Sequence, residues 1–284
     1  EYLQLDFDSK DDLELLIDDF IAISFLIGND FIPFFSDVDI RNGSYDDILS
    51  CYKRVRLEFP DSHLVTDGKF NKPFMKQLLQ SILDVFKKRY KKDMQLDGTD
   101  EEIAASFHEK NRDYILQKYP EHEADFDEFI KDMSNEILDA FDWVLKYYNE
   151  GCPSWTWFYP YHYAPPLEFI IPYIDEHESH FDEGMPNGPL LHLLALMPPQ
   201  SKDLLPEVVQ TLMDDEELKE FYPTTFETDL NGRRVEWQAT VLIPFIDLEL
   251  LKEKFNEIDL PEEYEERNSL AFPIEFSEGL EYED

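Results

Sequence analysis

Ser154-Trp155-Thr156-Trp157-Phe158-Tyr159-Pro160-Tyr161-His162-Tyr163-Ala164-Pro165-Pro166 is the stretch that decides the fold. Its prolines exclude a regular helix, and rings of this density must mostly be buried. The segment therefore reads as extended, aromatic backbone inside a structure built from something else. That something else stands just upstream. Residues 122–149 are the clearest helix in the chain, with Phe126, Phe129, Ile130, Met133, Ile137, Phe141, Val144, Leu145 and Tyr148 at helical spacing and Gly151 as the stop.

The same period recurs on both sides. Residues 11–27 read as a helix whose apolar positions are Leu13, Leu16, Ile17, Phe20, Ile21 and Phe25, closed by Gly28 and Pro33. Residues 45–55 form a second helix with Ser44 as its N-cap. Asp67-Gly68 is a turn, and residues 72–92 form a third helix with Pro73 in its first turn and Leu78, Leu79, Ile82 and Phe86 on one face. Residues 93–101 read as a linker, followed by a helix of about 15 residues that ends before Pro120. Downstream, helical segments are expected around 190–197, 206–213, 216–222 and 248–255, with a tight turn at Asn231-Gly232. The fold class is mainly α: an irregular helical domain with aromatic, proline-rich extended segments and few short strands.

Charge narrows the function. The 284 residues carry 25 Lys+Arg against 64 Asp+Glu, a net charge of −39. Such a chain repels phosphate at long range, which excludes a stand-alone nucleic-acid binder. Its 23 Phe, 15 Tyr and 4 Trp exclude a disordered acidic protein. Cys51 and Cys152 are too few for a disulfide scaffold or a cysteine zinc site. The most apolar window, near residues 20–27, is too short to span a membrane. The chain opens on Glu1-Tyr2-Leu3 without Met or a signal peptide, so it is expected to be part of a longer protein. One island departs from the acidic background: residues 51–92 hold 11 basic and 4 acidic side chains.

Three places can carry chemistry. In Leu26-Ile27-Gly28-Asn29-Asp30-Phe31-Ile32-Pro33 a carboxylate follows directly on the glycine that stops an apolar helix. Asp30 there suits an oxygen ligand for a divalent ion in phosphodiester hydrolysis, or a residue that buttresses the turn. Asp18 and Asp19, just upstream, fall between core positions, so they face water or cap a neighbouring element; the alternative is that they support the metal ligand from behind. In the aromatic stretch, Trp155 and Trp157 stand two apart and face one way in extended backbone. Exposed rings of this kind stack the bases of single strands, and buried ones plug a core. The basic island offers cations to a phosphate backbone or forms a solvated helix end. Asp175-Glu176-His177-Glu178-Ser179-His180 lacks metal-site spacing and reads as a polar loop.

Together these residues resemble the Xrn/Rat family of 5′–3′ exoribonucleases. The resemblance runs from Ile17-Asp18-Asp19-Phe20 and Gly28-Asn29-Asp30-Phe31-Ile32-Pro33 through Trp143-Val144-Leu145-Lys146-Tyr147-Tyr148 and the 154–165 stretch. It continues in Phe221-Tyr222-Pro223, Thr228-Asp229-Leu230-Asn231-Gly232, Glu236-Trp237-Gln238, Leu242-Ile243-Pro244-Phe245-Ile246-Asp247 and Glu265-Glu266-Arg267-Asn268. It implies that residues 1–40 are the C-terminal edge of a nuclease core. Residues 41–272 would be the helical domain, with its usual insert reduced to a linker at about 93–110, and 273–284 an acidic tail. The helical domain would normally pack on an α/β, PIN-like nuclease core, mostly absent from this chain.

The family further implies Asp30 as a Mg²⁺ ligand completed by carboxylates outside the chain, and one of Trp155 and Trp157 as a ring that stacks on RNA. The implied substrate is single-stranded RNA with a 5′-monophosphate, and the implied partner is the upstream nuclease region of the same protein. No membrane partner is implied, and the isolated chain is expected to be inactive. Departures at Pro166-Leu167-Glu168 and Gly184-Met185-Pro186-Asn187 mark a divergent member. The rival reading is a non-catalytic acidic interaction module of the same fold. Residues 241–247 and Arg267-Asn268 favour the cytoplasmic branch over the nuclear one, against Cys152, which favours the nuclear.

Overall fold

The structure, a computed structural model, describes residues 10–38 and 43–269. The 273–284 tail lies outside them. The helices are α1 (Lys10–Ser24), α2 (Ser44–Glu58), α3 (Lys72–Asp93), α4 (Asp100–Lys118), α5 (Phe126–Asn149), α6 (Leu167–Ile170), α7 (Pro189–Leu196), α8 (Glu207–Gln210), α9 (Leu248–Asn256) and α10 (Glu262–Asn268). Two short antiparallel hairpins join them: β1 (Val65–Thr66) with β2 (Lys69–Phe70), and β3 (Glu227–Asp229) with β4 (Thr240–Leu242). The mainly α expectation holds. The chain divides into two compact units, 1–184 and 185–284, a division that falls inside the stretch read as one helical domain.

In the first unit α5 is the central element. Ile137, Leu138, Phe141, Val144 and Leu145 join a core that includes Phe25, Ile32, Phe35, Tyr52, Phe74 and Ile82. Its first half forms a smaller cluster with Ile115 and Phe169. The α-helix begins at Phe126 rather than at 122, because Pro120–His122 is a separate 3-10 turn.

α1 buries a different stripe from the one expected. Leu16, Asp19, Ala22, Ile23 and Leu26 face inward, whereas Leu13, Ile17 and Phe20 are 37%, 50% and 40% exposed. The helix is apolar on two faces, so its period does not single out the buried one. Asp19 goes inside because partners await it. Its Oδ2 accepts from the Tyr52 hydroxyl at 2.6 Å and lies 3.2 Å from His63 Nδ1, and its Oδ1 accepts from the Val65 amide at 2.7 Å. Burial nevertheless pushes its pKa up. The expectation that Asp19 faces water is thus corrected, and the alternative, that it caps a neighbouring element, describes it: it anchors α1 to the start of β1. Asp18 is half-buried.

Ser44 is not the N-cap of α2. Gly43, at φ 82°, takes that place, and Ser44 is the first helical residue. Its buried hydroxyl accepts from Arg89 Nη1 at 2.7 Å. The turn before β2 holds Asp67 and Gly68 at φ 51° and 68°, the left-handed pair that a two-residue hairpin requires. The linker is shorter than expected. From Asp100 the chain is helical, because Thr99 and Glu102 form a reciprocal capping box: Glu102 N donates to Thr99 Oγ1 at 3.2 Å, and Thr99 N to Glu102 Oε2 at 2.8 Å.

The second unit is built from short pieces around Leu194, Val209, Leu218, Tyr222 and Leu251. The helix expected at 216–222 is only a 3-10 turn, Lys219–Phe221. Asp215 takes over the local donors, its side chain accepting from Glu217 N at 2.8 Å and its carbonyl from Leu218 and Lys219. The 206–213 segment breaks into α8 and the 3-10 turn Thr211–Asp214. Asn231 and Gly232 turn the chain after β3, at φ 44° and 82°.

Candidate functional site

The chain leaves α1 through a 3-10 turn, Phe25–Ile27, and reverses at Gly28, φ 89°. A Cβ on Gly28 would lie 2.7 Å from the Phe34 backbone nitrogen, so the bend admits only glycine. Asn29 then folds the loop on itself. Its Oδ1 accepts from the amides of Phe31 and Ile32, both at 2.9 Å, and its own N–H donates to the Ile32 carbonyl at 2.9 Å. With these groups satisfied inside the loop, the Asp30 carboxylate is left exposed, with no hydrogen-bond or ion-pair partner among the described residues.

Phe31 plugs that loop into an aromatic wall. Its ring centroid lies 5.0 Å from Trp143 and 5.3 Å from Tyr147, both on α5. Trp143 stacks on Tyr147 at 5.2 Å and on Trp157 at 5.9 Å. The loop of Asp30 and the aromatic stretch, far apart in sequence, are therefore joined through one tryptophan.

The two candidate tryptophans then part ways. Trp157 is half-buried, stacked on Trp143, edge-on to Phe181 at 5.7 Å and close to the Glu136 carboxyl. Burial raises the pKa of Glu136, with Asp139 adding to the rise. Trp155 is 48% exposed. Its backbone is nonetheless fixed, since its N–H donates to the Glu183 carbonyl at 2.9 Å. Next to it Ser154 is a buried hub. Its carbonyl accepts from Trp143 Nε1 at 3.2 Å, and its hydroxyl from the Trp157 amide at 3.2 Å. Phe158, 49% exposed, is the second large ring that this segment shows to solvent.

Part of the basic island is spent on structure. Arg56 donates to the carbonyls of Phe59, Pro60 and Ser62 beyond the end of α2. Arg89 pairs with Asp47, Lys76 with Asp175, and Arg54 donates to Ser81 Oγ at 3.0 Å. The 175–180 cluster is the polar loop that its spacing indicates: His177 lies 3.2 Å from Asp139 and 3.0 Å from Ser179, which in turn donates to Asp142 at 2.6 Å.

No group of three or more His, Cys, Asp or Glu side chains that could hold a metal exists among the described residues. Asp30 therefore fits a divalent cation only as one oxygen ligand of a set completed elsewhere. The stacked path from Phe31 through Trp143 to Trp157 escaped the sequence reading, because neither ring spacing nor period connects residues so far apart. No described helix is long and apolar enough to cross a membrane.

Comparison with known proteins identifies the family. The family model described as the Xrn1 helical domain matches residues 10–118 and 106–274. Human 5′-3′ exoribonuclease 1 is 30% identical over 307 aligned residues, covering 86% of this chain and 18% of the human protein. The 5′-3′ exoribonuclease 2 of Schizosaccharomyces pombe is 44% identical over 147 residues, 50% of this chain and 14% of the relative. The 5′-3′ exoribonuclease 1 of Saccharomyces cerevisiae is 39% identical over 125 residues, 43% of this chain and 8% of the relative. The chain thus spans less than a fifth of the length of these relatives. With the family model matched over nearly all the described residues, the chain belongs to the Xrn1 helical domain family.

Proposed function

We propose that this chain is the helical wall of a 5′–3′ exoribonuclease that hydrolyses single-stranded RNA bearing a 5′-monophosphate. Asp30 supplies one Mg²⁺ ligand, and the upstream nuclease region of the same protein supplies the others. Mg²⁺ bound there offsets charge on the phosphodiester oxygens. Trp155, rather than Trp157, is the ring on which a base stacks. The observation that carries this reading is the Phe31–Trp143–Trp157 stack. It ties the loop of an exposed carboxylate to a segment whose neighbouring Trp155 is fixed in backbone yet half open to solvent. The net charge of −39 fits a wall that shapes a site while phosphate-gripping charge comes from elsewhere. Residues 241–247 support the cytoplasmic branch of the family.

The test uses the full-length protein. Asp30→Asn should lower hydrolysis of 5′-monophosphorylated single strands by about 100-fold or more, with strand binding retained. Trp155→Ala should weaken single-strand binding by about 5- to 100-fold, the equivalent of one stacked base. Trp157→Ala should instead lower the melting temperature. An Asp30→Asn enzyme of normal rate would sink the metal role, and unchanged strand binding in Trp155→Ala the stacking role. A full-length protein that degrades no RNA would favour the non-catalytic module. Processive degradation by the isolated 284 residues would refute the incomplete-site reading.

A further inference from the structure

A second place on the first unit has the lining of a ligand site. It is a cleft of about 400 Å³ bounded by the β1–β2 hairpin, the start of α3, one face of α5 and residues 174–180. That volume falls in the range of small-molecule sites. The cleft is held open by its own wall. Lys72 donates to the carbonyls of Asp175 (3.3 Å) and His177, Lys76 pairs with Asp175, and His177 is braced by Asp139 and Ser179.

Two lysines of the lining are used differently. Lys69 and Lys146 form no ion pair among the described residues; Lys146 lies over the face of Phe181, at 5.0 Å, and feels the charge of Asp142 on the same cleft. In a chain with 64 acidic side chains, two ammonium groups outside any direct ion pair on one cleft are conspicuous. His180 also lines the cleft. The lining also offers apolar surface, from Phe70 and Phe141, and carboxylate acceptors, from Asp142 and Glu178. Cations match a phosphate, an apolar floor matches a base, and carboxylates match the amino donors on a base edge.

We propose that this cleft binds a 5′-phosphorylated nucleotide unit, either free or within a single strand, with Lys69 and Lys146 on the phosphate. Neither Asp30 nor Trp155 lines the cleft, and the nucleotide titration stands apart from the exonuclease reading, on which only the strand competition rests.

Calorimetric titration of the full-length protein with adenosine 5′-monophosphate, adenosine and inorganic phosphate separately tests this. The nucleotide should bind saturably, and adenosine and phosphate alone should each bind at least about 10-fold more weakly. Lys69→Glu combined with Lys146→Glu should weaken nucleotide binding by about 10-fold or more. Lys69→Glu alone, at an exposed position that leaves folding intact, should weaken it in the same direction. Lys87→Glu and Trp155→Ala should leave it unchanged, which separates this site from the stacking site. With Asp30→Asn present to prevent hydrolysis, competition by oligoadenylate that is lost in the double variant identifies a strand as occupant. Its absence identifies the free nucleotide. The proposal is overturned if no nucleotide binds below about 1 mM, or if binding survives both the single and the double lysine variants.

Discussion

The two units meet the same requirement, burial of apolar surface, with elements of very different length. In the first, helices of 15 to 24 residues place side chains from three or four turns on one core, and Phe25, Tyr52, Phe74 and Ile137 are at most 1% exposed. In the second, most helical pieces are three to nine residues long. Each lends the core at most two buried side chains, and Leu196, Leu204 and Trp237 are left 68%, 80% and 82% exposed. Helix length therefore sets how much of an apolar sequence can be hidden. A long amphipathic helix concentrates its apolar residues on one side, and a four-residue helix has no side to speak of. Segments that share few buried contacts also open at lower free energy.

Substitutions can break or sharpen this contrast. The largest effect is expected at Trp143, which is 6% exposed and joins Phe31, Tyr147, Trp157 and Ser154. Trp143→Ala should cost about 3–5 kcal/mol in denaturant unfolding. A cost below about 1 kcal/mol would show that the aromatic wall is not part of the core.

Asp19 comes next. Asp19→Ala removes the carboxylate that accepts from the Tyr52 hydroxyl and the Val65 amide and should cost about 1–3 kcal/mol. Its pH dependence has a definite sign. Because burial raises the folded-state pKa, the group's contribution is complete below the unfolded value near 3.8 and is lost as pH rises through the folded value. Asp142 and Glu136 are shifted in the same direction, also chiefly by burial. Melting temperature should therefore rise as pH falls from neutral towards the unfolded carboxylate values, and Asp19→Asn should flatten that rise. A wild-type profile that falls over this window would contradict it.

The smallest effect is expected in the second unit. Trp237→Ala should change stability by no more than about 0.5 kcal/mol, because the ring is 82% exposed. A larger loss would mean that this unit buries more in solution than its short helices allow.

How far the sequence could be read depended on whether a local pattern was enough. α5 and α3 were legible because one apolar period runs through more than twenty residues. The hairpin turn at Asp67-Gly68 was legible from its dipeptide. Asp19 was not, since a buried carboxylate depends on partners 33 to 46 residues away. Ser44 has the chemistry of a cap but sits one residue inside the helix, where Arg89 claims it. At the candidate site, Asp30 and the two tryptophans could be named from type and spacing. Which tryptophan is exposed could not, because Glu136, Trp143 and Phe181 lock Trp157 from other segments.

The Asn29 loop also bears on cost. A carboxylate waiting on a mobile loop must be ordered each time it works, and that lost freedom reaches about 1–2 kcal/mol per residue. Here Gly28, the Asn29 amide oxygen and the Phe31 ring settle the backbone around Asp30 during folding. Whatever Asp30 meets, only its own side-chain rotation remains to be frozen.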